Sequence, residues 1–348
     1  MLLMTRRDLL FRSTRFVVVT IGVTVVMALL FLMTGLIEQF NQEPFDTVGA
    51  IGAEYWVVPE GVSGPFTASA TLSPDTAAAV SAPDAAAVIV ARGSMNVGET
   101  DSEEVLVIGH EEAQLGIPTP VAGRPATSGA EIVVDRSTGL AIGDDVALGT
   151  TQLQVVGLTE DTTVLAGLPV VFLEIDRARL ALFDGREVVT GVLSSEAPIA
   201  LPAGTSVLTA DQVAADALGP LENAVSSVDL IRALLWVVTA IIIGAVVYLS
   251  ALERQRDFAV MKAMGASNST LVASVAIQAV AIALLAAMLA AVLQGLIRPV
   301  FPLRVRVPAS AYWQIPLVAV LVAVLAGFGG MRRVTASDPA AAFSGPGA

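Results

Sequence analysis

The chain has 348 residues, of which 55% are hydrophobic and only 15% charged, and its mean hydropathy is +0.75. Soluble domains are typically about 25% charged, so these values exclude an ordinary soluble protein. A net charge of −13 leaves no basic surplus for binding nucleic acid. The sequence has no cysteine and one histidine, His110, which excludes disulfides, thiolate metal sites and sites built from paired histidines.

Four stretches of the sequence are long and apolar enough to cross a membrane, which takes about 20 residues at 1.5 Å each. The first follows a basic segment like a signal peptide, but it is longer than a signal's apolar region and no small-residue cleavage site follows it. We interpret it as an uncleaved anchor. The predicted transmembrane helices are residues 16–37, 230–252, 271–297 and 312–330.

The distribution of cations predicts the orientation. Segments 1–15, 253–270 and 331–348 together hold nine Lys and Arg residues, whereas segment 38–229 holds six arginines against 28 acidic residues. Short loops rich in Lys and Arg remain in the cytoplasm. The pattern therefore predicts an inner (plasma) membrane protein with both termini and loop 253–270 in the cytoplasm, and with segment 38–229 and the short loop 298–311 outside.

The residue pattern of segment 38–229 is typical of a soluble α+β domain. Alternating and buried apolar runs predict strands, and capping residues followed by helix formers predict two helix starts, at Ser73 and Thr209. The fold class is thus an α-helical membrane protein with four transmembrane helices and a large extracytoplasmic α+β domain between the first two. The predicted strands are Glu104–Gly109, Glu131–Asp135, Asp145–Gly149, Gln152–Gly157 and Pro169–Ile175, of which the third and fourth form a hairpin.

This domain offers little catalytic chemistry. His110 stands beside two glutamates, and we predict it to be a solvated loop residue. The carboxylates of Asp101, Glu103 and Glu104 are expected to form a hydrated face rather than a metal site.

The chain also lacks the phosphate-binding loop of an ATPase. That loop needs Gly-Lys-Ser/Thr, and the only lysine, Lys262, stands between Met261 and Ala263. We therefore predict no enzymatic activity in this chain, and any ATP-driven work requires a partner.

The inner loop predicts a short amphipathic helix. Phe258, Met261 and either Met264 or Gly265 are expected on one side, Gly265 can stop the helix in a left-handed conformation, and Ser267 or Asn268 can cap the next helix. Composition alone leaves open whether this loop does more than determine topology.

The residues 253–266, Glu-Arg-Gln-Arg-Asp-Phe-Ala-Val-Met-Lys-Ala-Met-Gly-Ala, resemble the signature of the MacB/FtsX-like permeases of ABC transporters. The tail at 332–343, which contains Asp-Pro-Ala-Ala-Ala, resembles that family's closing motif, and Gly123-Arg124-Pro125 with segment 131–157 resembles its extracytoplasmic domain. The order of one helix, an outer domain and three helices matches as well, so the resemblance covers essentially the whole chain.

The resemblance implies a homodimeric permease that binds a separate ATPase subunit, which holds ATP and Mg²⁺, while this chain carries no cofactor. Segment 1–15 would be an amphipathic helix at the inner membrane surface. Gln278 and Gln294 within the spans are expected to bond across helices. By the same resemblance, the residues expected to couple this chain to the ATPase are Arg254, Arg256, Phe258, Met261, Lys262 and Gly265.

The small size resembles the short permeases of heme exporters. This implies export of a hydrophobic or amphipathic compound, such as heme, a peptide, an antibiotic or a lipid, which enters from the outer leaflet. An alternative is an FtsX-like mechanotransmitter that controls an outer partner such as a cell-wall hydrolase, and a solute importer is the least supported because the spans lack a polar midplane site. The expected substrate access residues are Glu38, Phe40, Asn41, Glu43 and Arg232.

Overall fold

The computed structural model of the chain divides into two units. One unit comprises the chain up to Glu38 and again from Ser226, and we call it the helix unit. The other, Gln39–Val225, is called the sheet unit. The structure describes residues 13–97, 101–111, 115–127, 129–253, 260–261, 264–265, 267–301 and 303–335.

The helices include both membrane-length and short elements. In chain order they are α1 (Ser13–Ile51), α2 (Pro74–Ala78), α3 (Ile175–Phe183), α4 (Ala210–Leu218), α5 (Glu222–Glu253), α6 (Asn268–Ile297) and α7 (Ala311–Thr335).

Three helical stretches of the described chain are long and apolar enough to span a membrane, and a shorter apolar helix covers Ala311–Leu325. The helices are longer than the predicted spans, because α1 continues past residue 37 and α5 begins before residue 230. A charged residue ends an apolar stretch but does not break a helix, so hydropathy underestimates helix length. The three stretches are Val17–Ile51, Ala210–Leu249 and Val275–Val300.

Small side chains dominate the core of the helix unit. Helices α6 and α7 bury a series of alanines against each other, which allows two backbones to approach closely. The connection between these helices packs on α1 at Gly35, whose carbonyl accepts a hydrogen bond from the N–H of Arg306 at 3.2 Å. A Cβ atom on Gly35 would lie 2.6 Å from Val305 Cγ1, so this contact requires glycine. The alanines are Ala279, Ala283, Ala286, Ala287, Ala290, Ala311, Ala319 and Ala323.

The sheet unit is built on one mixed sheet. Its strands run in the order β11-β1-β10-β2-β3-β9-β5-β7-β4, with β6 pairing with β2 and β7, and β8 pairing with β9. Pairs β3–β9 and β5–β7 are parallel and the remaining pairs are antiparallel. The strands are β1 (Tyr55–Pro59), β2 (Ala86–Val97), β3 (Asp101–His110), β4 (Ala122–Gly123), β5 (Glu131–Asp135), β6 (Asp145–Leu148), β7 (Thr151–Thr159), β8 (Thr163–Val164), β9 (Leu168–Glu174), β10 (Gly191–Ser194) and β11 (Thr205–Thr209).

Both faces of this sheet are buried. On β2, Val88 and Val90 enter one apolar cluster while Ile89 between them enters another, because successive side chains in a strand point to opposite faces. Val48 and Ile51, in the last turns of α1, belong to the first cluster. The end of α1 is therefore part of the core of the sheet unit.

The local sequence signals are confirmed in detail. Strand β5 has the predicted bounds, and the predicted hairpin is formed by β6 and β7. Ser73, Thr209 and Ser267 each cap a helix with the side-chain oxygen, and Thr209 forms a full capping box with Gln212.

We expect the substitution Gly35→Ala to lower the free energy of unfolding by about 1–3 kcal/mol, because the added methyl group overpacks the contact with Val305 and Val307. Gly22 is the matched control: it lies in the same helix, and a Cβ atom added there would have nothing within 4 Å. Gly22→Ala should raise stability slightly, by about 0.5–1 kcal/mol. Thermal unfolding of the detergent-solubilised chain measures both, and equal midpoints for the two variants would contradict the packing argument.

Candidate functional site

The inner segment expected to contact an ATPase is described only in part. Arg254, Arg256, Phe258 and Lys262 lie outside the described residues. Met261 is helical, half-buried and packed against the core of the helix unit.

The end of this segment follows the predicted geometry. Gly265 has φ +95, a left-handed conformation that suits glycine, and Ser267 then caps α6 by accepting a hydrogen bond from the N–H of Thr270. Met264 differs from the expectation, because it is 75% exposed while Met261 is packed inward. Of the two methionines, Met264 is exposed and Met261 is half-buried, a difference that sequence periodicity did not distinguish.

The five expected access residues fall in both units and differ in burial. Glu38 is half-buried and Asn41 is exposed, whereas Phe40 and Glu43 are buried. Arg232 forms an ion pair with Asp229, one turn earlier on the same helix. The unit boundary falls between Glu38 and Gln39, so Glu38 and Arg232 belong to the helix unit and the other three to the sheet unit.

Glu43 makes specific contacts within the sheet unit. Its side chain is 1% exposed, and its Oε1 accepts a hydrogen bond from the N–H of Gly167 at 2.8 Å. One turn later in α1, the hydroxyl of Thr47 donates to the carbonyl of Thr163 at 2.7 Å. Sequence reasoning missed these contacts, since the partners are more than a hundred residues apart along the chain.

Two glutamines are buried in the helix unit. Gln294 of α6 donates from Nε2 to the hydroxyl of Tyr312 in α7 at 2.8 Å, which confirms the predicted bond across helices. Gln278 is 3% exposed, and neither of its side-chain polar atoms has a hydrogen-bond partner among the described residues. Gln278 therefore does not form the predicted bond across helices within the described residues. A buried polar side chain without a partner costs free energy inside a helix bundle.

His110 is not a solvated loop residue, and that prediction was wrong. It is the last residue of β3, paired with Val88 on one side and with Glu174 on the other, and it is 2% exposed. Nδ1 lies 3.0 Å from the carbonyl oxygen of Glu111, so Nδ1 carries the proton. Nε2 is buried with no partner in the described part of the chain. Burial lowers the pKa of His110, because the imidazolium would lose its hydration.

Glu103 and Glu104 lie in the first half of β3, at the opposite end of the strand from His110. Glu104 is exposed and pairs with Arg92 at 3.5 Å, and partial burial raises the pKa of Glu103. In the described ranges, no group of three or more His, Asp or Glu side chains is arranged to hold a metal ion.

A cavity of about 440 Å³ lies in the sheet unit, within the usual size range of small-ligand sites. Its lining combines apolar side chains with hydroxyls and the guanidinium of Arg92, and it comes from separate segments of the chain. For that reason no contiguous sequence pattern indicated it. Among the lining residues are Phe66, Leu106, Leu182, Phe183 and Thr190.

Comparison with known proteins identifies the family. Residues 230–339 match the family described as FtsX-like permease C-terminal. The chain is 36% identical over 350 residues to an uncharacterized ABC transporter permease of Mycobacterium tuberculosis, covering 99% of this chain and 100% of the relative. An uncharacterized ABC transporter permease of Mycobacterium bovis matches with the same identity and coverage.

Two solved structures are similar at low scores. The periplasmic region of MacB from Actinobacillus actinomycetemcomitans is 13% identical, covers 49% of this chain and 95% of that chain, and has a TM-score of 0.35. The extracellular domain of the noncanonic ABC-type transporter YknZ from Gram-positive bacteria is 12% identical, covers 42% and 83%, and has a TM-score of 0.30.

The full-length relatives determine the assignment: the chain belongs to the ABC transporter permeases with an FtsX-like C-terminal domain. It is a membrane protein, and an ABC transporter permease works with an ATPase partner.

The burial of His110 predicts a pH dependence of stability. In the unfolded chain His110 titrates near its usual pKa of about 6.5. Because the folded pKa is lower, the unfolded chain takes up the proton first as the pH falls, and the free energy of unfolding decreases below about pH 6.5, by at most about 1.4 kcal/mol per pH unit.

Thermal unfolding of the solubilised chain at about pH 7.5 and about pH 5.5 measures this effect. We expect the midpoint of His110→Gln to change less between the two pH values than that of the natural chain. An identical pH response in the two proteins would show that His110 does not contribute.

Proposed function

We propose that this chain is the non-catalytic membrane subunit of an ATP-driven exporter of a hydrophobic or amphipathic compound, such as heme, a peptide, an antibiotic or a lipid. The observation that supports this proposal is the length of helix α1. It is one continuous helix from Ser13 to Ile51, and its last turns belong to the core of the sheet unit. A helix transmits displacement along its length, so motion at its inner end would reach the sheet unit without an intervening loop.

In this proposal α1, α5, α6 and α7 are four transmembrane helices. Both termini and loop 253–270 are cytoplasmic and the sheet unit is outside, as the distribution of Lys and Arg favours. Helix α5 exposes large apolar side chains that lipid or a second copy of the chain would cover, which supports its placement in the plasma membrane, and the homodimer is proposed from the family resemblance. They include Leu230 at 62%, Leu234 at 56% and Ile241 at 64% exposure.

The ATPase subunit, which supplies ATP and Mg²⁺, would bind the inner segment. We assign the coupling to Arg254, Arg256, Phe258, Met261, Lys262 and Gly265, and we add Met264 because its side chain is exposed. Met261 packs on the membrane helices, so it would relay the movement rather than contact the ATPase.

The substrate would enter beside the outer end of α1. We assign substrate access to Glu38, Asn41 and Arg232, which retain exposed surface, and to Phe40 and Glu43, which are buried. Heme as a substrate would need a carboxylate or tyrosine ligand, since the only histidine is buried elsewhere. The chain itself is expected to hold no cofactor.

The coupling assignment is tested by Met264→Asp. A carboxylate at this exposed apolar position should weaken association of the ATPase at least about tenfold, while the fold and membrane insertion are retained. Ile199→Asp is the matched control, because Ile199 is 80% exposed in the sheet unit. Co-purification and ATPase activity of the complex report the result, and undiminished association of the Met264 variant would refute the assignment.

A second candidate is a mechanotransmitter that switches an outer protein partner, such as a cell-wall hydrolase. The hydrogen bonds and packing that fasten the end of α1 into the sheet unit favour it, because they suit transmission of force as well as transport.

Substrate-dependent ATPase activity distinguishes the two candidates. The ATPase activity of the complex, reconstituted in lipid nanodiscs with its partner ATPase, should be stimulated several-fold by an exported compound if the chain is an exporter. Heme, lipids, peptides and antibiotics are the compounds to compare. If only an outer protein stimulates the ATPase, and overexpression protects cells from none of these compounds, the mechanotransmitter replaces the exporter.

A further inference from the structure

The loop between β8 and β9 has an unusual backbone. Three successive residues are left-handed, with φ values of 53 at Leu165, 70 at Ala166 and 98 at Gly167. Glycine adopts this conformation readily, whereas residues with a Cβ atom are strained in it. A strained backbone of this kind persists only where surrounding contacts hold it.

The contacts that hold this loop come from one face of α1. Glu43 accepts the N–H of Gly167 at 2.8 Å, and Thr47 donates to the carbonyl of Thr163 at 2.7 Å. Glu43 and Thr47 are four residues apart and therefore lie on the same side of the helix, so the two side chains together fasten this face of α1 to β8 and its loop.

The carboxyl of Glu43 interacts with Thr163 as well as with Gly167, but only the bond to Gly167 is close. Within the described residues, Glu43 Oε2 and Thr163 Oγ1 are buried without a hydrogen-bond partner. Buried polar atoms without close partners cost free energy, so this contact stabilises the loop less than a fully hydrogen-bonded one would. Pro44 follows Glu43 inside α1, and its missing N–H removes one helical hydrogen bond at this turn, where the helix can bend.

We propose that Glu43 is a positioning residue that holds loop Leu165–Gly167 in its strained conformation, and that ATP-driven displacement of α1 withdraws the carboxylate and releases the loop. This rests on the proposed function, since it requires ATP-driven movement of α1. The sheet unit would then have a held and a released state, selected by the position of one helix turn.

The natural chain has no cysteine, so Ala166→Cys provides a single reporter in this loop. Its rate of reaction with a polar maleimide would be measured in the complete complex in nanodiscs, at rest and after trapping with ATP and vanadate. We expect the trapped state to react about tenfold faster, as for a local opening that loses its main hydrogen bond.

Variants at Glu43 test the hold itself. With Glu43→Ala, the reporter should already react about tenfold faster at rest and gain nothing on trapping. Glu43→Gln retains an acceptor oxygen for the N–H of Gly167, so the slow resting rate and the response to ATP should be largely preserved. Gln42→Ala, at the exposed neighbouring position, is the matched control and should behave as the natural residue.

Each result bears on a separate part of the proposal. An unchanged resting rate in Glu43→Ala overturns the hold, and this comparison needs only the permease. If that variant fails to fold, Glu43→Asp replaces it, because the shorter side chain withdraws the acceptor from the N–H of Gly167, and an unchanged resting rate then overturns the hold. Equal rates at rest and after trapping, in a complex with active ATPase, overturn the release. Failure of the ATPase to associate at all overturns the proposed function and the ATP-driven release together, while the resting comparison still decides the hold.

Discussion

The burial of the last turns of α1 in the core of the sheet unit is the contact on which the rest of the structure depends. Val48 and Ile51 share that core with Trp56 and Phe172, which holds the turns of α1 that follow Pro44 in place. Trp56 is in β1, which begins four residues after α1 ends. Helix α1 thus begins in an apolar stretch long enough to span a membrane and ends in the core of an α+β domain.

Buried polar groups show how this fastening differs from an ordinary structural contact. Asp135 is fully buried and satisfied: it accepts hydrogen bonds from the N–H of Ser137 and from the N–H and hydroxyl of Thr162. Glu43 makes one close hydrogen bond, which its Oε1 accepts. A fully hydrogen-bonded network rigidifies its surroundings more than a buried carboxylate with one close bond does.

Local signals predicted local structure well. The caps at Ser73, Thr209 and Ser267 and the strand at Glu131–Asp135 are encoded by a few adjacent residues, and they form as expected. His110 was misjudged because its chain neighbours are acidic, while its burial comes from strands β2 and β9, which are distant in sequence. The left-handed conformation of Leu165 and Ala166 could not be predicted from the sequence either, because neither residue type favours that conformation.

By itself, the sequence determined the apolar stretches, the acidic segment between the first two of them, the absence of a phosphate-binding loop, and the family through its inner-loop motif. These are properties of contiguous residues, which hydropathy and spacing report directly. Only the tertiary structure decided that α1 ends inside the sheet unit, that Met264 rather than Met261 is exposed, and that Glu43 is bonded to Gly167, 124 residues away. Burial and hydrogen-bond partners depend on which distant segments the fold brings together, and no local pattern in a single sequence specifies that.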